Sequence, residues 1–187
     1  MMIELHHVSI GQQISNLSVT VEDGSLLCIS GRKGSGKSTL LRAILGLIAI
    51  DGGHISIDGE LLTPLSAPYF RRQMAYVPQQ LELMDGYDGM ADVSEMLFEL
   101  HVNKGETAYR LPSDNRSWKE LTADERYLLL LSNAIQLAKP VLIVDEPAQP
   151  LQETTAETVD NMLRDALQRG TTVVAVNSRI TENRIEL

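Results

Sequence analysis

Only one cysteine, Cys28, occurs in the chain, so no internal disulfide can form. Its apolar neighbours Leu26, Leu27 and Ile29 predict a buried core thiol rather than a reactive one. Aromatic residues are scarce, at 4% of the total. The opening MMIELHHV has no basic segment followed by an apolar run, so no secretory leader is expected. No apolar run approaches the ~20 residues a membrane span needs, and the richest stretch of the first third, LLRAILGLIAI, is broken by Arg42. These absences predict a cytoplasmic protein that reaches a membrane only through a partner. Positive charge is also in deficit: 16 Lys and Arg against 25 Asp and Glu leave a net charge of −9. A nucleic-acid backbone is repelled by such a balance, so no nucleic acid is expected as a partner. What remains is a hydrophobic fraction of 43% over 187 residues, enough for one globular domain with a sizeable core and too short for a second catalytic one.

Met2 to Ser30 reads as strands: IELHHVSI, then ISNLSVTV with alternating apolar positions, a turn at Glu22-Asp23-Gly24, and the continuous apolar run LLCIS. A run of that last kind suits a central strand covered on both faces. Lys37 to Ile48 follows helical spacing, and Gly52-Gly53 ends it; HISIDGELL reads as a hairpin about Asp58-Gly59. Met74 to Val77 is a strand stopped by Pro78, and residues 81–120 read as a helical insertion. Leu121 to Ala138 is helical and apolar on nearly every face, and VLIVDEP is a strand ending in acids. Thr154 to Gln168 is an amphipathic helix with Val159, Met162, Leu163 and Ala166 on one stripe, and TVVAV is a buried strand. Strands alternating with helices imply an α/β domain with a largely parallel sheet.

Chemistry enters at Gly31-Arg32-Lys33-Gly34-Ser35-Gly36-Lys37-Ser38-Thr39, which fits G-x-x-x-x-G-K-[ST] between a buried strand and a helix. Glycines let successive backbone N–H groups turn inward around an anion, and the helix start adds partial positive charge. Lys37 can reach the β and γ phosphates of a nucleotide, and the Ser38 hydroxyl is a ligand for Mg²⁺. Asp145 and Glu146 then stand at the end of an apolar strand, where one acid can hold the metal and the next can polarise an attacking water.

The order of phosphate loop, YVPQ (Tyr76 to Gln79), helical insertion, buried helix opening at LTADE, and VLIVDEP resembles the nucleotide-binding subunit of ABC transporters over nearly the whole chain. The resemblance implies a P-loop NTPase fold of the ABC-ATPase type. Its parts would be a mostly parallel core, an antiparallel β part at the start and a small helical subdomain, all in a single domain over residues 1–187. It implies ATP and Mg²⁺ as ligands, with Gln79 contacting the metal or the attacking water; Gln80 is adjacent and easily confused with it. It also implies a homodimer or heterodimer with another such domain, and a separate transmembrane permease. That permease would hold the domain at the inner face of the membrane, docking on the insertion, where Tyr87, Phe98, Tyr109 and Trp118 make either an apolar surface or the subdomain's own core.

Departures from the family pattern are as informative. In place of a typical LSGGQ, the segment that would cover a partner's γ-phosphate is Leu121-Thr122-Ala123-Asp124-Glu125, with both glycines replaced. A carboxylate at ~6 Å from a phosphate charge repels by about 3 kcal/mol per unit-charge pair at an effective dielectric of ~20. Ser178, preceded by Asn177, stands where the family's switch histidine contacts the γ-phosphate, and Gln152 where it has an aspartate. No aromatic residue lies near Gly11 and Gln12, where the family stacks one on adenine; His6 and His7, the nearest rings, read as strand residues. The chain ends nine residues after Ser178, so no regulatory C-terminal domain is expected.

Three functions compete. One is an ATP-hydrolysing transporter subunit of low or partner-dependent activity, and another a weak, regulatory half of a heterodimer. A small-molecule kinase is the third, disfavoured because Arg71, Arg72, Arg110 and Arg116 give no lid pattern. Repair or chromosome proteins of the superfamily would need sustained heptads, which the sequence lacks.

Overall fold

A computed structural model describes residues 1–79, 121–147, 150–176, 179 and 183–187. The predicted insertion at 81–120 therefore lies outside the described residues, as do Gln80, Asn177 and Ser178.

Two sheets carry the described fold. The first is antiparallel, in the order β2-β1-β4-β5, from β1 (Ile3–Ile10), β2 (Ile14–Val21), β4 (Gly52–Ile57) and the short β5 (Glu60–Leu61). In the second sheet β3 (Leu26–Ser30), β6 (Met74–Val77), β7 (Val141–Val144), β8 (Thr172–Val176) and β9 (Arg184–Glu186) run parallel in the order β6-β7-β8-β3-β9. Strands β3, β7 and β8 are nearly pure Val, Leu, Ile, Cys and Ala because helices and the first sheet cover both their faces. One core cluster joins Ile3, Leu5 and Ile57 of the first sheet to Leu27 and Ile29 of β3 and to Leu40, Leu41 and Ile44 of α1 (Lys37–Ile44). Cys28 is fully buried in this layer, as the sequence predicts.

Helix α1 is shorter than the periodicity of the sequence suggests. Gly46, at φ +63, takes the left-handed conformation that ends a helix, and Leu47 and Ile48 beyond it are exposed. A side chain at Gly46 would press within 2.6 Å of Ala67 Cβ, so the turn also admits α2 (Ala67–Arg72) against it. Arg71 of α2 donates to the Leu45 and Gly46 carbonyls and closes that helix end.

On the other face, α3 (Ala123–Gln136) and α4 (Glu153–Gln168) pack on the second core cluster. The stripe Val159, Met162, Leu163 and Ala166 is buried as predicted. Among the described residues no helix is long and apolar enough to cross a membrane.

Candidate functional site

Parallel strands present their carboxyl ends to one side, and loops following those ends are where ligands bind in open α/β sheets. Three features converge there: the loop after β3, Gln79 after β6, and Asp145 and Glu146 after β7. Lys33, Gly34, Gly36, Lys37, Ser38, Thr39, Gln79, Asp145 and Glu146 all border a cavity of about 740 Å³.

The loop is built to hold an anion. Helix α1 starts at Gly36, φ +103, with no side chain capping it, and its own first hydrogen bond is Leu40 N–H to Gly36 O at 2.8 Å. The amides of Lys37, Ser38 and Thr39 precede that bond and are left for a ligand. Gly31, φ +147, has room for no side chain: a Cβ would stand 2.5 Å from Leu187 O and 2.7 Å from Ser35 Oγ. Ser35 Oγ is buried with no hydrogen-bond partner, a costly state that an incoming acceptor would relieve. Lys37, only 8% exposed, donates from Nζ to the carbonyls of Gly31 at 2.8 Å and Arg32 at 3.0 Å. Its ammonium thus arches over the loop at the mouth of the cradle. Arg32 contributes that carbonyl and does not border the cavity.

Across the cavity, Asp145 is 2% exposed and accepts from Ser38 Oγ at 3.2 Å and from the Glu146 N–H at 2.9 Å. Burial raises its carboxyl above the ordinary aspartate range, against the pull of those two donors. A buried carboxylate beside a hydroxyl is a hard-oxygen pair that fits Mg²⁺, and a cation there would offset the desolvation. The hydroxyl of Tyr127, itself buried, donates to the Asp145 carbonyl at 2.9 Å and fixes the strand end to α3.

Helix α3 opens on the segment that departs from LSGGQ, and its residues are engaged within the chain. Thr122 Oγ1 accepts from Glu125 N–H at 3.2 Å while Glu125 Oε2 accepts from Thr122 N–H at 2.8 Å, a reciprocal capping box. Asp124, whose charge the sequence alone aims at a partner's phosphate, turns to Gln152 and accepts its N–H at 3.0 Å. Thr122→Ala is expected to cost about 1 kcal/mol of stability by loss of this cap, read as a lower urea midpoint with unchanged slope.

A family model for ABC transporters matches residues 14–149. The chain belongs to the ABC transporter family. It is 27% identical over 186 residues to an ATP-dependent lipid A-core flippase of Aliivibrio fischeri, 91% of this chain and 32% of that protein. To the sulfate/thiosulfate import ATP-binding protein CysA of Caulobacter vibrioides it is 31% identical over 168 residues, 81% of this chain and 48% of that one. The chain thus spans about a third of the first relative and half of the second. Among solved structures, MJ0796, a bacterial ABC transporter cassette solved as a dimer, superposes at a TM-score of 0.76 with 22% identity, over 99% of this chain and 94% of that one. The fold is that of an ABC cassette.

In this ABC cassette Lys37 and Ser38 of the loop, Gln79, Asp145 and Glu146, each singled out by the sequence, border one cavity. No pattern in the sequence points to Gln13, in the turn between β1 and β2, which donates from Nε2 to Gly34 O at 3.0 Å. Nor does any local pattern point to Tyr127, whose bond to the Asp145 carbonyl joins residues 18 positions apart; the capping box of Thr122 and Glu125, by contrast, is legible as T-x-x-E before an apolar run. His6 is a strand residue as expected, stacked on His54 across β1 and β4 with ring centroids 4.7 Å apart. Arg179 bonds Glu153 at the start of α4, with one contact Nη2 to Oε2 at 2.7 Å. That exposed pair holds the Glu153 carboxyl below its usual range but contributes little to stability.

Proposed function

We propose that the cassette binds Mg–ATP in the loop at residues 31–39 and hydrolyses it slowly, or only when paired, to drive transport through a separate membrane subunit. The convergence of Lys37, Ser38, Asp145 and Glu146 on one cavity supports this most directly. In that reading the loop amides and Lys37 hold the β and γ phosphates. Ser38, Asp145 and Gln79 would hold Mg²⁺, which when bound neutralises phosphate charge. Glu146 takes the proton of the attacking water, and Gln79 orients that water.

Pairing is expected to be asymmetric. Thr122, Asp124 and Glu125 already satisfy one another and Gln152, so the start of α3 has little to offer a partner's phosphate, whereas a partner with a glycine-bearing signature could complete this chain's site. Purified alone, the cassette is expected to turn over ATP–Mg²⁺ well below the ~1–100 s⁻¹ common among phosphoryl-transfer enzymes. Addition of such a partner should raise phosphate release. Brisk turnover by the isolated chain would overturn the proposal. A second reading, a regulatory half with a weak site of its own, draws on the same capping box and on Ser178 and Gln152. It requires that the paired rate be carried wholly by the other cassette.

A further inference from the structure

Nucleotide sites usually hold the base as well as the phosphates, and a base is gripped by ring stacking or by hydrogen bonds to its edge. Stacking on an aromatic side chain is worth about 1–3 kcal/mol per base. Among the described residues bordering the cavity, the one aromatic ring is Tyr127. It is 2% exposed, and its hydroxyl is tied to Asp145 O, so neither face nor edge of that ring is presented to a ligand.

The side chain that stands over the loop instead is Gln13, carried there by the turn after β1. Both polar ends of its amide face the loop: Nε2 donates to Gly34 O at 3.0 Å, and Oε1 accepts from Thr39 Oγ1 at a long 3.4 Å. Its Cβ lies 3.1 Å from where a side chain at Gly36 would begin, so the stem rests on the glycine at which α1 starts. Gln13 thus joins the crest of the loop to its helical end, with one N–H and the carbonyl oxygen of its amide engaged on the loop itself.

We propose that this site selects its ligand by the polyphosphate and not by the base, accepting nucleoside triphosphates of either purine, with Gln13 as the positioning residue of the loop. This rests on the reading of residues 31–39 as the phosphate site. The amides of Lys37, Ser38 and Thr39, the ammonium of Lys37 and the hydroxyl of Ser35 all address phosphate oxygens, which every such ligand shares.

The test is calorimetric titration of the full chain with ATP, GTP and inorganic tripolyphosphate, each with Mg²⁺, for the wild type and for Gln13→Met. Methionine keeps the stem and removes both polar ends. The three affinities are expected within about threefold of one another, well inside the roughly fivefold or more that one stacked base would add. Gln13→Met should weaken all three by the same factor, about three- to tenfold for the bonds lost, and lower the melting temperature by only about 2–4 °C. ATP binding more than about fivefold tighter than GTP, or both nucleotides more than about fivefold tighter than tripolyphosphate, would overturn base indifference on the wild type alone. A Gln13→Met loss confined to nucleotides would make Gln13 a base contact, and no loss would remove its positioning role. Binding of none of the three would instead overturn the phosphate-site reading beneath it.

Discussion

Lys37→Ala is expected to weaken binding of ATP–Mg²⁺ by about a hundredfold or more. Charge-assisted hydrogen bonds are worth about 1.5–3 kcal/mol each, and an ammonium that reaches two phosphates supplies two of them; each 1.4 kcal/mol is a factor of ten in affinity. The same substitution also removes the donor that now holds the carbonyls of Gly31 and Arg32, so the loop loses a strut as well as a charge. Calorimetric titration with ATP and ADP checks it, and a loss below tenfold would mean that the backbone amides carry the phosphates without help. Lys37→Arg should not restore binding, because a planar fork cannot occupy the narrow arch over residues 31 and 32 that a compact ammonium fills.

Glu146→Gln is expected to lower phosphate release by about 10²- to 10⁴-fold in the complex with a signature-bearing partner, the range that a positioned general base contributes. ATP affinity should stay near that of the unaltered cassette, since the amide keeps the shape of the carboxylate and Glu146 is not among the groups that address the phosphates. A single-turnover assay on the mixed pair separates the outcomes. An unchanged rate would assign hydrolysis to the partner's site and favour the regulatory reading.

Much of this was legible in the chain because the signals were local. The loop pattern, the apolar run of β3 before it and the helical period after it lie within 20 residues, and VLIVDE announces a buried strand and its acids in one stretch. What escaped depends on distance or on brevity. Helix α2, six residues long, is too short for a 3.6-residue period to show. The helical spacing of apolar residues runs on to Ile48, whereas α1 ends at Ile44 because Gly46 takes the left-handed turn. The contact of Gln13 with Gly34 joins residues 21 positions apart, and that of Asp124 with Gln152 joins residues 28 apart. A charge read from sequence has a sign and no direction, so Asp124 looked aimed at a phosphate when its nearest donor was the main chain beginning α4.

The bond from Tyr127 to the Asp145 carbonyl fastens α3 to the peptide between the two acids. Five residues of helix separate it from Thr122, a lever of roughly 7–8 Å at 1.5 Å per residue. Any displacement of α3 that keeps this bond would carry with it the peptide between Asp145 and Glu146.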